Sequence, residues 1–206
     1  MRNGGKPMET ETRDPVLLPD AATPIIPWRK LTWWILLLPV LMIIALILHS
    51  FSLLLFTHVM AGSLWTGADI FLGFVLGPIW KHLSSSQRLA IQSRLIPNTF
   101  LYMPILAITT GTAGWYVAKY DGFAVSHSIV FPWIVAAGIV VLILTIVGIG
   151  IMLPTNFRML KEMRGATPDP ETLKRLTFRN RRLAAVQGIF QVTIIIIMVH
   201  LAVLPT

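Results

Sequence analysis

The chain has 206 residues, 55% of them hydrophobic and only 13% charged, with a mean hydropathy of +0.73. A soluble domain of this size needs far more polar surface, so composition predicts an integral membrane protein built as one helical bundle domain. The net charge of +8 does not call for a nucleic-acid partner, because the basic residues stand beside apolar segments, where the positive-inside rule puts them. Cysteine is absent, which excludes disulfides, thiolate metal sites, iron–sulfur clusters and thioether-linked haem.

Residues 1–27, MRNGGKPMETETRDPVLLPDAATPIIP, are polar, rich in proline and mixed in charge. They cannot bury enough apolar surface to fold alone and are expected to form a flexible cytoplasmic tail. No apolar run follows the first basic residues closely, so a cleavable signal peptide is not expected. Residues 28–206 are expected to form a transmembrane helical bundle with spans at about 31–49, 51–80, 95–118, 129–153 and 183–204. The first follows Arg29 and Lys30 and carries Trp33 and Trp34 at the interface. The second ends at Pro78, Ile79 and Trp80 before Lys81, and is long enough to tilt. A basic, polar link, KHLSSSQRLAIQSR, leads to the third. There Pro97 and Pro104 are kink sites, and Gly111 and Gly114 allow close packing. Segment 154–182 gathers Arg158, Lys161, Arg164, Lys174, Arg175, Arg179, Arg181 and Arg182. It reads as a cytoplasmic loop with a surface helix from Pro170, capped by Asp169 or Thr167. Among the residues flanking the spans, all basic ones except Lys119 fall on one side. The fold expected is therefore all-α, a polytopic membrane helix bundle of five transmembrane helices, N-terminus in and C-terminus out.

Two polar residues stand inside the second span, in FTHVMAGSLWTGADIFLGFVLGPIW. An imidazole at His58 and a carboxyl at Asp69 are costly in hydrocarbon, and such residues usually have a use. Positions 58, 62, 65, 69 and 73 share one helical stripe: His58, Gly62, Trp65, Asp69 and Gly73. Gly62 and Gly73 leave room for a flat macrocycle or for a close helix, and Trp65 could pack on a porphyrin edge. His200 stands eighteen residues beyond Arg182, roughly 27 Å from the basic boundary, and His58 twenty-three residues before Lys81, roughly 34 Å. Both fall in the outer leaflet, so His58 and His200 are the expected axial ligands of one b-type haem. His49, roughly 28 Å beyond Lys30, competes by depth, and His127 of the outer loop could also approach. His82, beside Lys81 at the inner face, reads as solvated. The plainer reading of the stripe is glycine-mediated helix packing around a hydrogen-bonded histidine.

Asp69 lies near the midplane and is a candidate proton relay, with an interhelical hydrogen bond as the plainer role. Its expected neighbours are Thr109, Thr110 and Thr193. Thr193 shares the face of His200, whereas Gln187 and Gln191 point largely away from that face and are expected in a different contact.

The spacing His58-x3-Gly62-x2-Trp65-x-Gly67, continued to Gly77-Pro78, resembles the first core helix of several small bacterial membrane families. These are the DUF2269 integral membrane proteins, the CopD domain and the HemJ-type protoporphyrinogen oxidases, with DUF2269 the best match. The resemblance covers about residues 51–204 and implies a four-helix core able to bind haem b, His58 being the ligand it carries over. The first span is then an extra N-terminal helix. HemJ-type proteins have a basic residue soon after this motif. Here Ala68 to Gly77 holds Asp69 and no Arg or Lys.

The expectation is a haem b membrane protein of a bacterial inner (plasma) membrane, with one bis-histidine haem per chain. It would carry electrons between quinol, or an outer-side periplasmic partner, and the haem. A bis-histidine haem has no open coordination site, which suits electron transfer. A HemJ-like protoporphyrinogen or quinol oxidase is the alternative. A haem-free membrane subunit or a CopD-like copper-handling protein is another, but Met42, Met60, Met103 and Met198 form no close-spaced copper motif. The glycine stripes would serve a homodimer or larger membrane complex as readily as a single bundle.

Overall fold

The structure is a computed structural model that describes residues 33–122, 129–165 and 168–203. The expected tail 1–27, the flanking Trp28, Arg29 and Lys30, and the side chains of His127 and Thr167 lie outside the described residues. All regular structure among the described residues is helical, in five helices. They are α1 (Trp33–Ile47), α2 (Phe51–Trp80), α3 (Ser85–Tyr120), α4 (Phe131–Met163) and α5 (Pro170–Val203). Helices α2, α4 and α5 are each long and apolar enough to cross a bilayer. Helix α1 is apolar but shorter, and α3 is long but interrupted by polar residues. The outward surface is apolar: Phe74, Ile139, Leu142, Ile189 and Ile196 are all exposed. A continuous apolar exterior of this kind is a liability in water and the ordinary surface of a protein in lipid.

Leu48, His49 and Ser50 join α1 to α2. His49 has a φ of +52°, the left-handed conformation that ends many helices. The turn is closed by the Ser50 N–H on Ala45 O at 3.0 Å, and the Ser50 hydroxyl accepts from the Leu53 N–H at 3.4 Å to cap α2. The His49 ring is exposed and donates through Nδ1 to Ile47 O at 3.1 Å. An L residue is strained at this backbone angle, so His49→Gly should raise stability by about 1 kcal/mol. Unfolding in mixed micelles would measure it, and a loss of stability would mean the ring's hydrogen bond outweighs the strain.

Three helices run further than expected. α3 starts at Ser85 because Ser84 and Gln87 form a capping box: the Ser84 hydroxyl accepts from the Gln87 N–H at 3.3 Å, and Gln87 Oε1 accepts from the Ser84 N–H at 2.9 Å. Pro97 and Pro104 remain inside it. The expected cytoplasmic loop 154–182 is mostly helix. α4 continues to Met163, and the surface helix and last span are one helix, α5. Lys, Arg and Leu are good helix formers, and a basic end outside the lipid costs such a helix little.

Asp169 caps α5, as expected. Its Oδ1 accepts from the Glu171 N–H and its Oδ2 from the Thr172 N–H, each at 3.1 Å, with Pro170 opening the helix. Hydrogen bonding by the Thr172 side chain, then by the Glu171 and Thr172 amides, holds its carboxyl below the ordinary value of 3.8. The cap is therefore fully formed above that value and lost as pH falls below it, through the lowered folded value. Amide exchange at Glu171 and Thr172 should accelerate over that acidic window, and Asp169→Ala should show the fast rate at every pH.

The tightest seam joins α2 and α3. The buried face of α2 is Leu54, Thr57, Ala61 and Trp65. Leu54 packs with Ala45 of α1 and Ala113 of α3, all three fully buried. A larger core joins Ala61 and Trp65 of α2 to Leu106 of α3, Ala137, Val140 and Leu144 of α4, and Ile197 and Leu201 of α5. At the basic end Ile96, Met159, Leu160, Met163 and Leu176 form a separate core. There Arg179 donates to the Thr155 hydroxyl and Asn180 Nδ2 to Asn156 Oδ1 at 2.6 Å, fastening α5 to α4.

α2 and α4 are each interrupted by a π-helical segment, Phe71–Leu76 and Ile146–Met152. A π turn inserts a residue and rotates everything after it relative to α-helical register. That is why Gly73 leaves the expected stripe: it is exposed, and a Cβ there would meet nothing within 4 Å.

Candidate functional site

His58 sits in the α2–α3 seam. Its ring lies against Gly114 so closely that a Cβ there would stand 2.6 Å from Cε1 and 2.9 Å from Nδ1. Nδ1 is 2.9 Å from Thr110 O. A carbonyl only accepts, so Nδ1 carries the proton and, in the neutral ring, Nε2 presents a lone pair. Nε2 makes no hydrogen bond among the described residues. Gly62, one turn on, faces the same helix: a Cβ there would be 3.3 Å from the Thr110 methyl. Of the two uses open to Gly62, the space is taken by a close helix.

His200 is half-buried near the end of α5, its ring tilted 46° on Trp133 of α4 with centroids 4.0 Å apart. The two imidazoles thus engage different helices, His58 through α3 and His200 through α4, and no hydrogen bond or ring contact joins them. Trp65 is buried in the larger core. His49 belongs to the α1–α2 turn, and His82 is exposed in the turn after α2. Among the described residues no three His, Cys, Asp or Glu side chains gather as a metal site.

Asp69 finds partners that the sequence reading placed elsewhere. Its Oδ2 accepts from Gln187 Nε2 at 2.8 Å and from Gln191 Nε2 at 2.7 Å. Both glutamines are almost wholly buried, at 5% and 2% exposure. The threonines expected there bond elsewhere or not at all. Thr109 donates to Ile105 O at 2.7 Å, Thr193 to Ile189 O at 3.0 Å, and the buried Thr110 hydroxyl has no partner. Gln187 and Gln191 are four apart and share a face, so a sequence signal existed. Two amides in one stripe of a membrane helix need a polar partner, and Asp69 is the acid in the apolar stretch of α2.

For a haem, the residues offer one imidazole in a fitting state. His58 is anchored at Nδ1 and free at Nε2, as metal-binding histidines generally are. The α2–α3 seam itself is closed at Gly62 and Gly114, so a porphyrin on His58 would lie outside it. An apolar cleft of about 180 Å³ between α1 and the α2–α3 pair is lined by Trp34, Leu38, Phe56, Met60, Leu64 and Tyr102 and holds no histidine.

No family model matches this chain, and neither does a curated protein or a solved structure.

Proposed function

We propose that the chain is a haem b protein of a bacterial inner membrane. It crosses that membrane five times, N-terminus in and C-terminus out, and carries electrons between quinol or an outer-side partner and one haem. The hydrogen bond from His58 Nδ1 to Thr110 O carries this reading. It holds the imidazole in one tautomer and one orientation, with the metal-binding nitrogen left over. Gly114 admits the ring to the seam, so the ligand is seated by backbone on α3 rather than by a mobile side chain. His200 is the proposed second ligand because it lies towards the same end of the bundle; to serve, its ring must leave Trp133. Bound there, haem supplies a one-electron redox centre.

The test is a reduced-minus-oxidised spectrum of detergent-purified protein, with the haem-to-protein ratio. A Soret band lost in His58→Ala and weakened or shifted in His200→Ala is the expected result. A band unchanged in His58→Ala would remove that residue as a ligand. The closed α2–α3 seam favours a second reading, a haem-free membrane subunit in which His58 only pins α2 to α3. Colourless protein from haem-replete cells would favour it.

A further inference from the structure

The cluster of Asp69, Gln187 and Gln191 is left unexplained by a haem on His58. It lies eleven residues along α2 from that histidine, about 16 Å by helical rise, and towards the basic end of the bundle. Its hydrogen bonding is incomplete in an informative way. Gln187 Nε2 donates to Asp69 Oδ2, yet Gln187 Oε1, on the same buried amide, has no partner. Among the described residues neither Asp69 Oδ1 nor Gln191 Oε1 accepts a hydrogen bond. Both amide nitrogens of the cluster thus donate to one carboxylate oxygen, each through one of its two N–H groups, and the side-chain oxygens that remain can only accept. An acceptor buried without a donor is costly and uncommon, the more so in lipid.

The missing donor is one proton. A carboxylic acid and a primary amide pair through two hydrogen bonds, amide N–H to acid C=O and acid O–H to amide C=O. The first is present here, and a proton on Asp69 Oδ1 would supply the second, to Gln187 Oε1. The backbone is irregular beside the cluster on both flanks. The π segment of α2 begins two residues after Asp69. That of α4 contains Gly148, where a Cβ would stand 3.6 Å from Gln187 Oε1. Segments of this kind occur often at functional sites. No charged group competes for the proton. Among the described residues Asp69 makes no ion pair, and its side-chain partners are the two glutamines. Among the titratable groups of the packed elements, His58 bonds Thr110, Arg179 bonds Thr155, and Tyr102 packs on Trp34. The described part of α1 carries none, and the nearest on α4 is Arg158, beyond the π segment.

We propose that Asp69, Gln187 and Gln191 form a reversible proton-binding site inside the membrane. Asp69 Oδ1 takes the proton, Gln187 Oε1 receives its hydrogen bond, and Gln191 holds the other carboxylate oxygen in both states. No other bond is made or broken, and no electron moves.

The test is pH-difference infrared spectroscopy of the full chain in lipid nanodiscs, read at the carboxylic C=O stretch. The wild type should show a carboxylic acid band that grows as pH is lowered and is missing from the near-isosteric Asp69→Asn. In Gln187→Leu, which keeps the acid and removes its acceptor, the band should move to higher frequency. Identical difference spectra for the wild type and Asp69→Asn would overturn the proposal. So would a band abolished by sodium but not by choline at equal ionic strength, because the site would then take a metal cation. The readout does not involve haem: a normal Soret band in Asp69→Asn with loss of the infrared band supports this site whatever holds for His58.

Discussion

Gly114→Ala should destabilise the protein by about 1–3 kcal/mol, the usual range for overpacking a filled interior. The new methyl would stand 2.6 Å from His58 Cε1, well inside contact distance, and the ring cannot slide while Nδ1 holds Thr110 O. Either the imidazole leaves the seam and gives up that bond, or α2 and α3 part along the face where Leu54, Ala61 and Ala113 are fully buried. His58→Ala alone should also cost about 1–3 kcal/mol, because it leaves a void and removes the side-chain hydrogen bond to Thr110 O. Together the two changes should cost less than their sum, since the alanine at 114 then grows into the space the ring vacated. A favourable coupling of about 1 kcal/mol or more in a double-mutant cycle is expected. Strict additivity would mean that the ring and Gly114 do not share that space. The same cycle separates the readings of His58. If the histidine only pins two helices, Gly114→Ala changes stability alone. If it also holds iron, the Soret band of Gly114→Ala should shift or weaken too.

The helices were legible because lipid-facing helices need unbroken apolar runs, and this chain has them. Their ends were less so. The basic stretch after Met152 reads as a loop by charge, but charge does not oppose helix outside the hydrocarbon, and α4 and α5 run through it with Asp169 as the start signal. The Ser84–Gln87 box was equally present in the sequence, inside a link judged by polarity instead of by its capping pattern. The stripe on α2 was right in kind and rotated in detail. Its buried positions are 54, 57, 61 and 65, one step from 58 and 62, because Leu54, Ala61 and Trp65 fill the cores and His58 enters at the seam's edge beside Gly114. Beyond Ile70 no periodicity argument could hold, since a π segment keeps the residue types and changes the angle between them. Asp69 was recognised as costly, but its partners were sought in Thr109 and Thr110 of the third span and in Thr193 on the face of His200. Gln187 and Gln191 carried the signal as a pair, and only a pairing of α2 with α5 at that depth gives it a target.

Asp69→Leu should destabilise the bundle more than either Gln187→Leu or Gln191→Leu. It leaves two buried amides without their acceptor, at about 1–3 kcal/mol for each orphaned donor. Each single glutamine change keeps Asp69 one donor, Gln191 at 2.7 Å or Gln187 at 2.8 Å. The triple variant Asp69→Leu, Gln187→Leu, Gln191→Leu removes donors and acceptor together. It should recover most of the loss and approach or exceed wild-type stability, because apolar replacement of a whole buried polar network is often neutral or better. Reversible unfolding in bicelles would rank the four variants. A triple variant weaker than Asp69→Leu would show that the polar contacts hold α2 to α5 and are there for stability. Recovery in the triple variant points the other way. A carboxyl and two amides that the bundle folds as well without are a standing cost in lipid, and what keeps them there must be the work they do.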